Sequence, residues 1–336
     1  VRGAEVHEVG VGPIHASVIE PGHFRFMCLG ERVHHLEIQL GYQHRGVESL
    51  LLQRPPLTLT ALVESIAGDS SVTYASAYCA AVEALAGVSI DPSASLVRGV
   101  ALELERIAIH LASVTGLAGD IAFLQGASTY GRLRTAIINA SMRACGSRFG
   151  RGWLRPGGVR FGLNAERRTD LTNTLAAFAK DLAEINALMR SARTVSPRLQ
   201  GIGQLSASAA QDLGLWGLAA RASGLAVDTR ACLPGKLYES FPVEEQTESS
   251  RDCWALMQLR LKEIDASVRW INSALQSTDL DEVSQPIHPT LGLKPDHLCV
   301  STCEGPRGPV MHVLETDSDA KLAHYKVQDS SLQTWF

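Results

Sequence analysis

No run of apolar residues in this 336-residue sequence reaches the ~18 that a membrane-spanning helix needs. Charged residues interrupt each candidate, as Arg221 does in GLWGLAARASGLAV. No C-x-x-C occurs among the seven cysteines, Cys28, Cys79, Cys145, Cys232, Cys253, Cys299 and Cys303. Their odd number and irregular spacing argue against a disulfide framework, a zinc ribbon or an iron–sulfur site in this chain. Most of them read as buried small hydrophobes in a reducing compartment. Gly201-Ile202-Gly203 is only a fragment of G-x-G-x-x-G, and G-x-x-x-x-G-K-[ST] is missing, so no nucleotide-binding fingerprint is present. A basic excess is lacking too. With 31 Lys and Arg against 35 Asp and Glu, the net charge of −4 gives no electrostatic case for nucleic acid as a partner. No signal-peptide pattern follows Val1.

What is present is an ordinary globular composition, 45% hydrophobic and 20% charged, long enough for one large core or two domains. Residues 1–50 read as β structure, with His23 to Cys28 and Leu36 to Leu40 alternating around a Gly30-Glu31 turn. Six of the eleven histidines lie here, His7, His15, His23, His34, His35 and His44, but strand alternation sends them to different faces. Residues 51–296 read as helical. Asp91 or Ser93 caps a long helix carrying Leu96, Val100, Leu104, Ile107 and Leu111, and Tyr130 to Cys145 is a second, basic helix. The stripes Leu171, Leu175, Phe178, Leu182, Ile185, Leu188 and Met257, Leu261, Ile264, Val268, Ile271, Leu275 have the spacing of long antiparallel helices in a bundle. Residues 297–336 turn β again, with Val310 to Thr316 and Leu322 to Val327 joined through Asp317-Ser318-Asp319. The expected fold is α+β and mainly helical: a long antiparallel bundle flanked by small sheets from both ends, in one compact unit.

The stretch Glu64-Ser65-Ile66-Ala67-Gly68-Asp69-Ser70-Ser71-Val72 stands out. It breaks two apolar runs, and an Ala-rich helical pattern follows it from Val72 to Leu85. Such a Gly-centred kink lets a backbone approach a ligand closely. The same residues also suit a plain elbow, with Asp69 or Ser70 as N-cap of the second helix.

The frame Glu64-x-Ile66-x-Gly68-x-x-Ser71-Val72, followed by Ala77-Tyr78 and Ala81-Val82-Glu83, resembles the first metal-binding motif of nickel–iron hydrogenase large subunits and the related complex I subunit. Other segments match in the same order: Gly12-Pro13-Ile14-His15, Glu20-Pro21-Gly22-His23-Phe24, Gly41-Tyr42-Gln43-His44-Arg45-Gly46-Val47-Glu48, Glu105-Arg106-Ile107-x-x-His110-Leu111, Asp120-Ile121, Arg155-Pro156-Gly157-Gly158-Val159 and Glu304-Gly305-Pro306-Arg307-Gly308. The resemblance covers nearly the whole chain and is nearest to the membrane-bound, energy-converting branch. Where the hydrogenase motif has its two cysteines, this chain has Ala67 and Ser70, which cannot replace soft thiolate ligands. Where complex I has a quinone-contacting Tyr, it has Gly68. The second cysteine pair, in a C-terminal D-P-C-x-x-C, is not among the 336 residues, although Lys326 to Ser330 resembles the strand leading toward it. Family members often carry a preceding domain, which is the expectation for a chain starting at Val1.

The resemblance implies site residues as well. Glu20 and Asp120 fall on proton-transfer or quinone-pairing positions, and His44, Arg45 and His110 on positions facing the iron–sulfur cluster of a small subunit. Gly68, Asp69 and Ser70 line the former metal cradle. The expectation is a subunit of a membrane-associated, complex I-like oxidoreductase with no metal of its own. It would pass electrons from a partner's iron–sulfur cluster to quinone or another acceptor, its partners being the small subunit, a complex I-like accessory domain and membrane subunits. It would sit in the cytoplasm, on the inner face of the membrane through those partners. A non-catalytic scaffold of the same complex is the alternative. An active hydrogenase conflicts with the missing thiolates.

Overall fold

The computed structural model describes residues 3, 5–15, 21–276, 280–281 and 292–335, the side chain of Lys236 excepted. Contacts divide the chain into two compact units: Val1–Leu50 with Trp335, and Leu51–Thr334 with Phe336.

The first unit is a three-stranded antiparallel sheet of β1 (Val6–Val11), β2 (His23–Leu29) and β3 (Arg32–Gln39), in that order. Gly30 makes the expected turn, at φ +58°. His15 and His23 each place one ring nitrogen on a backbone carbonyl, of Gly22 and Gly12 respectively. α1 (Val47–Leu52) carries the chain into the second unit.

There α2 (Thr60–Val63) precedes the elbow and α3 (Ser71–Ala86) follows it. α3 is buried on nearly every side, as a helix apolar all round must be. It ends at Gly87 in the left-handed conformation, φ +69°, which only glycine adopts freely. α4 (Pro92–Asp120) starts at Asp91, whose carboxylate accepts from the Ser93 amide at 2.8 Å, and α5 (Leu124–Cys145) turns back after three residues. The hairpin β4 (Leu154–Arg155) and β5 (Gly158–Val159) leads into α6 (Ala165–Ser191). Short helices follow: α7 (Ser196–Leu199), α8 (Ala207–Asp212), α9 (Gly217–Ala222), α10 (Thr229–Cys232) and α11 (Gly235–Ser240). α12 (Cys253–Gln276) then completes the bundle.

Pairings fix the helix directions. Tyr130, Arg132 and Arg143 of α5 bond Asn186, Asp181 and Asp170 of α6, so sequence rises on one helix as it falls on the other. Glu103 and His110 of α4 meet Ser267 and Glu263 of α12 in the same opposed sense. The bundle is antiparallel, as the stripes imply, and α3, α4, α5, α6 and α12 contribute to one apolar core. The second sheet, β6 (Leu298–Gly305), β7 (Gly308–Thr316) and β8 (Leu322–Gln328), packs on α3. β6 precedes the two strands, Val310 to Thr316 and Leu322 to Val327, that the sequence picks out in this segment. The fold is α+β and mainly helical.

Candidate functional site

The elbow between α2 and α3 is held from two sides. The loop after α5 pins its inner face. Glu64 accepts from the Gly152 amide at 2.8 Å, and Arg151 reaches Ser71 Oγ at 3.2 Å and the Gly68 carbonyl at 3.3 Å. Burial pushes the Glu64 carboxyl up, against the pull of the Gly152 amide and Arg151. On the outer face stands Arg307, at the tip of the two-residue turn Pro306-Arg307 between β6 and β7. It donates to Asp69 Oδ2 at 2.7 Å, to Asp69 Oδ1 at 3.3 Å and to Ser70 Oγ at 3.3 Å. Burial raises the Asp69 carboxyl, but Arg307 outweighs it and holds the group below its usual range.

Ser70 occupies the N-cap position of α3, yet its hydroxyl makes no cap bond and turns to Asp69 at 3.2 Å. The cap comes from another helix. Glu105 of α4 accepts from the amides of Val72 at 2.7 Å and Thr73 at 3.0 Å, and from the Thr73 hydroxyl at 2.5 Å. The positive end of α3 thus meets a carboxylate. Asp69→Ala therefore removes no cap. The Asp69–Arg307 pair is 42% and 44% exposed, so solvent screening limits its worth. A thermal melt of the variant is expected to show a loss below about 1 kcal/mol.

Elements of the same unit bring the remaining groups near. Tyr74, one turn into α3, donates to Asp329 after β8 and meets the His312 ring edge-on at 5.8 Å. His312 Nδ1 bonds the Tyr325 hydroxyl at 2.8 Å, and burial lowers its pKa to about 3. Behind the Arg307 turn runs a buried ion network. Arg221 contacts Glu263 and Glu304, each at 2.8 Å, and Asp228 at 3.7 Å. Arg230 contacts Asp228 and Glu103, and Arg106 contacts Glu103. Arg106 also donates to the Glu304 and Gly305 carbonyls, which tie the turn to α4.

His110 sits in this network, 1% exposed, with Nε2 at 2.7 Å from Glu263. Burial lowers its pKa to about 4 despite Glu263, with Arg106 and Arg260 pushing the same way. The imidazole is therefore neutral near pH 7 and carries its hydrogen on Nε2, facing the carboxylate. Counting Arg260, which faces Glu263, Arg106, Arg221 and Arg230 bring the cations to four. Glu103, Asp228, Glu263 and Glu304 are four anions, so a neutral His110 leaves the cluster balanced.

Gly68, Asp69 and Ser70 come together at the elbow, with Gly68 exposed. Asp120 closes α4, fifteen residues beyond Glu105, a rise of about 22 Å along the axis. It is exposed and is neither a partner of the elbow nor part of the cavity lining. His44 and Arg45 are exposed in the loop after β3, in the first unit. Glu20 lies outside the described residues. Sequence reasoning missed Glu105 and Arg307 as site groups. A Glu set between Leu104 and Ile107 on an apolar stripe was the available signal for the first.

A nickel–iron centre does not fit these residues. Ala67 offers no donor atom, the Ser70 hydroxyl faces Asp69 and Arg307, and the guanidinium beside it would repel a cation. Among the described residues no group of three or more His, Cys, Asp or Glu is placed to hold a metal. No helix among them is long and apolar enough to cross a membrane.

Comparison with known proteins gives the family. The carbon monoxide-induced hydrogenase of Rhodospirillum rubrum is 28% identical over 98% of this chain and 91% of its own length. Formate hydrogenlyase subunit 5 of Escherichia coli is 26% identical over 97% of this chain, which spans only 57% of that protein. NADH-quinone oxidoreductase subunit 4 of Thermus thermophilus is 30% identical over 96% of this chain and 75% of its own. The family model described as respiratory-chain NADH dehydrogenase, 49 kDa subunit, matches residues 120–291. The chain belongs to that family, on the side where it meets the hydrogenases.

Proposed function

We propose that this chain is the hydrogenase-like subunit of a complex I-type oxidoreductase peripheral to a membrane. It docks a partner bearing an iron–sulfur cluster, and its elbow forms one wall of the site where electrons from that cluster reach a quinone-class acceptor. One observation carries the reading: a solvent-facing guanidinium–carboxylate pair, Arg307–Asp69, stands beside Ser70 and between the two positions, 67 and 70, that the resemblance assigns to the hydrogenases' thiolates. Arginine N–H groups suit the two carbonyl oxygens of a quinone and the charge that develops there on reduction. The cavity beneath the elbow is about 20 Å³, far below the ~300 Å³ at which small-molecule pockets begin. The acceptor would therefore lie on the outer face, with the partner supplying the opposite wall. His110, neutral and tied to the same network, would tune the cluster by hydrogen bonding rather than by charge. Glu20 and Asp120 remain its candidate proton groups.

The small cavity and dense ion network favour a second reading, a scaffold that docks partners without touching an acceptor. The purified assembly separates the two. A photoreactive quinone analogue is expected to label residues 68–70 or the Arg307 turn. Arg307→Ala is expected to weaken its binding roughly tenfold, about 1.4 kcal/mol, while the assembly stays intact. Labelling confined to other subunits, or loss of assembly with unchanged analogue binding, would favour the scaffold.

A further inference from the structure

Glu105 does more than end a helix. Beside its carboxyl lies the cavity of about 20 Å³, room for roughly one water. The lining joins Glu105, Ser141 and Trp153 to Asp69 and Arg148, the last two reachable from solvent. Asp69 comes from the elbow, Ser141 from α5 and Arg148 from the loop after it. From β6, the Cys303 thiol also faces Glu105. α3 presents its amides and the Thr73 hydroxyl.

Two effects oppose each other at this carboxyl. Burial pushes its pKa up, and the negative charge of Asp69 adds to that. The Thr73 hydroxyl and the amides of Val72 and Thr73 pull it down. The balance falls at about 7, so the acid and its carboxylate are both populated near neutral pH. A helix cap needs only the carboxylate. A cap that also holds a proton, beside a gap leading to solvent, can pass that proton on.

We propose that Glu105 is a proton-loading site of the elbow, exchanging its proton with Asp69 and bulk water through the one-water gap between them. In the transfer, the Glu105 O–H bond breaks and a water in the gap takes the proton. That water gives up one of its own to the Asp69 carboxylate or to solvent. Nothing is oxidised or reduced. The carboxylate left behind keeps the α3 amides, and its proton returns by the reverse path. The inference deepens the proposed function in one respect only: the store would sit beside an acceptor that needs protons as it gains electrons.

Infrared titration of the full chain tests it. The carbonyl-stretch band of a buried carboxylic acid is expected at pH 5, fading with a midpoint near 7 and absent in Glu105→Gln. No such band in the wild type, or a band that persists in Glu105→Gln, overturns the assignment. If Glu105→Gln fails to fold, Asp69→Asn carries the test from its half-exposed position. Removing that negative charge is expected to move the midpoint down, and an unmoved midpoint overturns the coupling. On mixing with heavy water the band is expected to shift at once, whereas a band that shifts only as slowly as core amides exchange excludes the gap as a path. A purely structural cap would move none of these readouts. None involves an acceptor or a partner, so each stands or falls apart from the proposed function.

Discussion

The Arg221→Met variant is expected to lose about 3–5 kcal/mol of stability in urea denaturation at pH 7. Arg221 is fully buried and makes four hydrogen bonds. Nε and Nη2 bond Glu263 Oε1 at 3.0 and 2.8 Å, and Nη1 bonds Glu304 Oε1 at 2.8 Å and the Val227 carbonyl at 3.2 Å. Methionine fills similar space but leaves carboxylates in a dry interior without their counter-ion. Lysine does little better, because one ammonium cannot reproduce the fork that spans two carboxylates. Glu263 is held well below the usual carboxylate range by Arg221, against burial. With Arg221 gone, burial wins and its folded pKa rises above the unfolded value. The variant should then regain stability as pH falls and lose it as pH rises through the new pKa. Adding Glu263→Gln to Arg221→Met is expected to recover part of the loss, since one orphaned charge disappears. Equal stability of the single and double variants at pH 7 would mean that Glu263 does not carry the cost.

The Gly217→Ala variant is expected to cost about 2–4 kcal/mol, with a local effect at the elbow. Gly217 opens α9 at φ +67°, a region that costs alanine about 1 kcal/mol. A Cβ there would stand 2.2 Å from the Gly308 Cα and 2.7 Å from the Arg307 carbonyl. Both obstacles are backbone, so no side chain can swing aside, and overpacking of this kind adds about 1–3 kcal/mol. The hairpin turn must move, and Arg307 moves with it. Hydrogen exchange at residues 68–71 should quicken in this variant more than exchange in α5 or α6. Uniform quickening throughout the second unit would show that the turn and the elbow are not linked.

How far the sequence reveals this protein depends on the range of the interaction. The α6 and α12 stripes announce themselves because helical periodicity is a local property, and Asp91 signals the start of α4 by its cap chemistry alone. The β6 strand is less legible. Its outer residues Leu298 and Val300 are exposed, so the apolar alternation that marks a half-buried strand is blurred. Arg221 looks in the sequence like an interruption of an apolar run. Its three-way pairing depends on carboxylates from the N-cap of α10, from α12 and from β6, which no window of sequence contains. The elbow was visible as a kink and its lost thiolates as Ala67 and Ser70. Arg307 and Glu105, which hold it, approach from 237 and 33 positions away.

That last separation bears on the order in which the molecule takes shape. A helix whose first amides are met by a neighbouring serine or aspartate can close its opening turn as soon as that turn exists. In α3 the amides of Val72 and Thr73 wait for a residue made 33 and 32 positions later. During synthesis the elbow is therefore complete in composition well before it can be complete in form. Its shape is settled by the arrival of the fourth helix.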